Sequence, residues 1–206
     1  FETGQFLIST PAIGNIDEDP YLEVVVSGFD SSGDVFVINH DGSVNIIELD
    51  ERVSTGVALA DFDADSKDEI IVATEDYDMI CMIDKMILSN NFYIDTLFIA
   101  ENRFKASPSI LDLNGEKIIM AGSYDNNFYA ISPDGSLLFN IEADDDIVSS
   151  PSFLIGDSNV YIFFASDDGY LHVIDETGNT LDGWPILFDD TPGDVSFSDL
   201  DGDGLA

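Results

Sequence analysis

The sequence predicts an all-β fold: a β-propeller of four-stranded antiparallel blades, with about four blades present as a partial or open ring. Three observations predict it. The 206-residue chain repeats itself at a blade-like period of roughly 40 to 50 residues. Each repeat carries the same order of β-branched runs and tight turns. No stretch sustains a 3.6-residue apolar period before turn residues interrupt it.

Small or Pro-containing starts mark the repeat at Ser9, Ser54, Ser107, Ser150 and Gly193, spaced by 45, 53, 43 and 43 residues. They define units at about 9–53, 54–106, 107–149 and 150–192, with a fifth beginning at 193–206. Within each unit a turn-rich loop leads into a β-branched strand: Glu23 to Val26, Glu69 to Val72, Lys117 to Met120 and Val160 to Phe163. An alternating third strand follows, as at Asp34 to Ile38, Asn127 to Ile131 and Gly169 to Ile174. Asp41-Gly42, Asp134-Gly135 and Thr177-Gly178 then close tight turns into a fourth strand. The 53-residue spacing of the second unit comes from Lys85 to Lys105, read as a longer outer hairpin or loop.

Composition limits the partners. The chain is 45% hydrophobic, enough for a sizeable core. It carries 42 acidic against 6 basic residues and a net charge of -36, so it repels nucleic acid, anionic membrane surfaces and acidic polysaccharides. No apolar stretch is long enough to span a bilayer as a helix. The single cysteine, Cys81, lies in an apolar run and reads as a small buried hydrophobe. The runs Asp144-Asp145-Asp146 and Asp189-Asp190 have no ligand spacing and read as solvated turns.

Other carboxylates are patterned. The loop entering the second unit reads Asp61-Phe62-Asp63-Ala64-Asp65-Ser66-Lys67-Asp68-Glu69. It offers carboxylates at positions 1, 3, 5 and 9, with the Lys67 carbonyl at position 7. Ca²⁺ takes roughly six to eight oxygen ligands, and such a loop supplies most of them. The first unit offers Asn15, Asp17, Asp19, the Tyr21 carbonyl and Glu23 at the same places, and the fifth begins the series with Asp199, Asp201 and Asp203. Converging carboxylates repel one another unless a cation neutralises them. The competing reading is that aspartates form good turns and splay into water. Asp112 to Glu116 and Gly156 to Asn159 break the pattern, so no metal is expected in the third and fourth units.

These loop-and-strand pieces, Asn15 to Val26, Asp61 to Val72 and Asp199 to Gly204, resemble the FG-GAP or VCBS-type repeats of the integrin α-subunit-like β-propellers. Gly183-Trp184-Pro185 resembles the blade ending of similar bacterial and archaeal repeats. The third and fourth units, at Gly122 to Ile131 and Ala165 to Leu171, look more like quinoprotein-type repeats. The resemblance implies seven or eight blades in a complete ring, calcium in loops on one face, and an extracellular or cell-surface role in adhesion or recognition of a protein or carbohydrate ligand.

The expected function is therefore a non-catalytic, calcium-binding module of a secreted or surface protein, whose signal and anchor segments are not in this chain. Self-association through exposed edge strands is a further expectation. Two alternatives stand beside it. One is the propeller of a larger enzyme, quinoprotein-like or polysaccharide lyase-like, although such chemistry wants Arg, Lys or His that the chain scarcely supplies. The other is an intracellular scaffold adapted to high salt. His40 and His172 read as structural or solvated, and Trp184 as blade packing.

Overall fold

Sixteen strands form in the computed structural model, which describes residues 4–29, 33–85, 91–156 and 159–198. They make four antiparallel four-stranded sheets in simple sequential order, the blades of a β-propeller. The first contains β1 (Ala12–Gly14), β2 (Glu23–Ser27), β3 (Val35–Ile38) and β4 (Val44–Ile47). The second contains β5 (Ala58–Ala60), β6 (Glu69–Ala73), β7 (Met79–Lys85) and β8 (Phe92–Ile99). The third holds β9 (Ser109–Leu113), β10 (Glu116–Gly122), β11 (Asn127–Ile131) and β12 (Leu137–Glu142), and the fourth holds β13 (Ser152–Ile155), β14 (Val160–Ala165), β15 (Tyr170–Ile174) and β16 (Ile186–Leu187).

Successive side chains of a strand point to opposite faces, and an inner blade must bury both. The second strand of each blade is therefore apolar at nearly every position. In β6, Ile70 and Val72 join Val25, Val35 and Val37 in the core between the first and second blades. The alternate residues Ile71 and Ala73 pack with Ile119, Ala121 and Ile131 between the second and third. Ile118 and Met120 turn the other way, onto Ile162 and Phe164 of the fourth blade. Outer strands have one face in water, and β8 is mostly exposed.

Small hydroxyl side chains of the inner strands tie blades together. Ser27 Oγ donates to the Thr55 carbonyl at 2.5 Å, Ser109 Oγ to the Pro151 carbonyl at 2.8 Å, and Ser152 Oγ to the Val195 carbonyl at 2.7 Å. Only a short hydroxyl reaches a neighbour's backbone at such close approach. Trp184 packs edge-on to Phe163 of β14. The cysteine, Cys81, is buried in the core between the first two blades.

The connections between first and second strands differ in kind. The third blade joins β9 to β10 through Asn114 and Gly115, both at positive φ, which is the backbone of a two-residue hairpin. The first and second blades instead use eight-residue acidic loops. Those loops depend on side chains, not on the turn itself, to hold their course.

The seam between the third and fourth blades is built on an aromatic stack. Phe128 and Phe164 are fully buried and stack with ring centroids 4.2 Å apart, nearly parallel. Phe128→Ala is expected to destabilise the domain by about 3 to 5 kcal/mol, read as a lower urea midpoint with an unchanged m-value.

Candidate metal centre

Each acidic loop leaves an inner strand, curls outside the sheet and re-enters at a glutamate that begins the next strand. In the first blade Glu23 starts β2, fully buried, and its Oε2 accepts the Ile16 N–H at 2.8 Å. In the second blade Glu69 starts β6, buried, and its Oε2 accepts the Phe62 N–H at 2.6 Å. The same bond across seven residues cinches both loops.

Between those ends the aspartates set the curvature. Asp17 accepts the Asp19 N–H at 2.9 Å and Asp19 the Tyr21 N–H at 2.7 Å. Asp63 accepts the Asp65 N–H at 3.0 Å and Asp65 the Lys67 N–H at 2.8 Å. Bonding two residues onward is the habit of Asx turns, and repeating it at alternate positions brings successive carboxylates to one side. Asp61 spans further, accepting N–H groups from both Ala64 and Ser66. Ala64 and Ser66 sit at φ 65° and 73°, a left-handed backbone that costs L-residues roughly 1 to 2 kcal/mol each.

The carboxylates converge as two trios. Asp17, Asp19 and Glu23 each bring an oxygen within 4.8 Å of the others, and so do Asp61, Asp63 and Asp65. The side chains of the other expected ligand residues have contacts of their own. Asn15 turns its amide outward to the second loop, donating to the Ser66 carbonyl at 2.5 Å, while its N–H meets Asp68 Oδ2 at 2.9 Å. Tyr21 stacks on His40. Lys67 sends its ammonium to Glu18 of the first loop at 3.2 Å. Glu69 lies outside its loop's trio. Asp199, Asp201 and Asp203 lie outside the described residues.

The two loops form one acidic district. Gly14 has no room for a Cβ, which would sit 2.5 Å from Asp68 Oδ2. Lys85, at the end of β7, reaches back to Asp17 Oδ2 at 3.3 Å, and His40 approaches Asp19 Oδ2 at 3.2 Å. Sequence reasoning missed these basic groups, because nothing in the loop spacing signals a side chain from another strand connection or another blade.

Electrostatics separates the residues. Burial works against the Asp17 charge, but the Asp19 N–H and the Lys85 ammonium outweigh it and hold its pKa below the usual carboxylate range. Burial pushes Glu23 up, helped by Asp17 and Asp19 and opposed by the Ile16 N–H. Burial likewise lifts Glu69 from 4.5 to about 7, with Asp63, Asp84 and Asp61 adding to it and the Phe62 N–H opposing. One oxygen has nothing at all: Glu23 Oε1 is buried with no hydrogen-bond partner. A buried unpaired carboxylate oxygen is expensive, and the Glu23 carboxylate that carries it is one of the trio with Asp17 and Asp19. Such a donor set, hard oxygens only, fits Ca²⁺.

Comparison with known proteins extends the picture. The family described as Lambda-carrageenase beta-propeller domain matches residues 23–151. Nothing matches among curated proteins. Among solved structures, BamB from Moraxella catarrhalis is similar with TM-score 0.60 and 20% identity, covering 87% of this chain and 50% of that one. BBS1N in complex with ARL6DN, soaked with lead, is similar with TM-score 0.64 and 15% identity, covering 93% and 58%. The same complex soaked with mercury gives TM-score 0.60 and 15% identity over 86% and 53%. At these identities the likeness carries the fold alone. The chain spans about half the length of these structures.

Glu69 generates a pH dependence in metal-free protein. Its folded pKa is raised, so its contribution to stability is fully present below about pH 4.5 and is lost as pH rises through about 7. In chelator, Glu69→Gln is expected to leave stability near pH 4.5 little changed and to raise it at pH 8 by roughly 2 to 3 kcal/mol. Thermal melts across that range check it, the mutant showing the shallower decline.

Proposed function

Because the chain belongs to the Lambda-carrageenase beta-propeller domain family, we propose that it is a calcium-stabilised, non-catalytic propeller module of a larger secreted or surface protein, holding one face rigid for recognition of a protein or carbohydrate ligand. The observation that carries the calcium reading is the fully buried Glu23, whose Oε1 has no hydrogen-bond partner and whose carboxylate stands in a trio with Asp17 and Asp19. A divalent ion supplies the missing positive charge. The second loop supports the same reading with three converged aspartates and a backbone held left-handed at Ala64 and Ser66.

The integrin-type kinship belongs to this proposal as well. It is supported by two acidic loops at the same place in consecutive blades, each closed by a glutamate at the head of the second strand. Extracellular modules bind calcium at about 10⁻⁴ to 10⁻³ M, so loops of modest affinity suffice in a secreted setting. A recognition role is in keeping with BBS1N, a propeller-like neighbour solved in complex with another protein, ARL6DN.

The family match favours a second reading, a propeller within a carrageenase. There too the chain serves as support more readily than as the surface that grips an acidic polysaccharide. Six basic residues against 42 acidic ones repel such a substrate.

Calcium titration tests the proposal. The melting temperature is expected to rise with added Ca²⁺ by mass action, with about 2.7 kcal/mol of stabilisation at a hundredfold excess over Kd. Chelator reverses it, and KCl at equal ionic strength does not reproduce it. Glu23→Gln loses the larger part of the response; an unchanged response in that variant contradicts the assignment.

A further inference from the structure

A second acidic feature has a different geometry from the loops. A cavity of about 390 Å³ opens at one end of the seam between the second and third blades. Its apolar lining includes Phe62, Met82 and Tyr93, and its acidic lining includes Asp84, Asp95 and Asp134. The strand register explains the mixture. Met82 pairs with Asp95 and Asp84 with Tyr93 across β7 and β8, so residues two apart on each strand present one face of the hairpin. That face looks onto the third blade, whose β11–β12 turn adds Pro133 and Asp134. Met82 and Phe62 extend from the apolar core of the same seam. The remaining wall, Asp63 and the buried Glu69, is shared with the second acidic loop.

Two facts define what would fit. No Lys or Arg lines the cavity, and none of its five carboxylates takes part in an ion pair among the described residues. Nor do they converge as ligands of a small ion do: among the described residues the carboxylate trios are those of the two loops. The charges instead surround apolar and aromatic surface. We propose that this cavity binds an organic cation, an ammonium or guanidinium group carried on an apolar stem. The stem covers Met82 and Phe62, and the cationic head lies beside Tyr93 in the field of Asp84, Asp95 and Asp134, a setting in which ring and carboxylates both favour positive charge. The volume falls within the range of small-ligand sites.

A free amine and a Lys or Arg side chain of a partner protein present the same chemistry. The cavity shares Asp63 and Glu69 with the second loop, but the groups that face the cation, Asp84, Asp95 and Asp134, are not loop ligands.

Binding of n-butylammonium chloride, followed by calorimetry and by the Met82 methyl resonance, tests it at fixed ionic strength, in calcium and in chelator. Saturable binding is expected in both, with KCl producing neither heat nor resonance shift. Asp95→Asn with Asp134→Asn, both at exposed positions, should weaken it about tenfold, and Tyr93→Ala about threefold. A short lysine-bearing peptide run in parallel identifies the source: tighter binding than butylammonium supports a partner's side chain, weaker binding a free amine. Non-saturable heat, equal shifts with KCl, or unchanged affinity in the doubly neutralised variant overturns the proposal. Loss of the calcium response with butylammonium binding intact would fault the metal reading alone.

Discussion

A buried glutamate at the head of the second strand governs this end of the molecule. In two consecutive blades it reaches back seven residues to a backbone N–H, and everything between is held to one path. Each glutamate is taken out of water to do this, so each raises the cost of its own charge. The aspartates that shape the loop add to the cost, because turns that bond two residues onward crowd negative charge on one side. The architecture thus creates a demand for positive charge that the loop itself does not meet.

The third blade shows that the demand is not inherent in the fold. There Asn114 and Gly115 close the same connection in two residues, and Glu116 at the head of the strand is exposed. The long acidic loop is an elaboration of two blades, and the nearest basic groups respond to it. Lys85 crosses from β7 to Asp17, Lys67 crosses from the second loop to Glu18, and His40 lies against Asp19. These contacts offset part of the charge in the first loop and bind the two loops together, yet they leave Glu23 Oε1 without a partner.

Much of the fold was legible in the sequence because a propeller repeats one local pattern. β-branched runs buried on both faces, Asp-Gly turns and hydroxyl markers each have a short-range signature, and the strands and their pairing follow from them. The trios Asp17, Asp19, Glu23 and Asp61, Asp63, Asp65 were legible for the same reason, since alternate positions of a curled loop share a side. What spacing did not show is whatever crosses between units. Asn15 was expected as the first ligand of its own loop, and its amide N–H also reaches Ser66 in the next. Lys67 was expected to contribute a carbonyl, and its ammonium also bridges the loops. The acidic cavity escaped notice because its walls come from three separate strands, a loop and a turn of the neighbouring blade. The match to a carrageenase-type propeller family, too, followed from comparison and not from any motif singled out in the loops.

The central claim is that the first loop's trio exists to hold a cation. Crystals grown in saturating calcium, with anomalous diffraction to identify the metal, test it most directly. The account predicts an anomalous peak bounded by Asp17, Asp19 and Glu23, with Glu23 Oε1 at about 2.3 to 2.6 Å from the ion. Density showing that oxygen hydrogen-bonded to an ordinary water, with no peak beside it, would contradict the account.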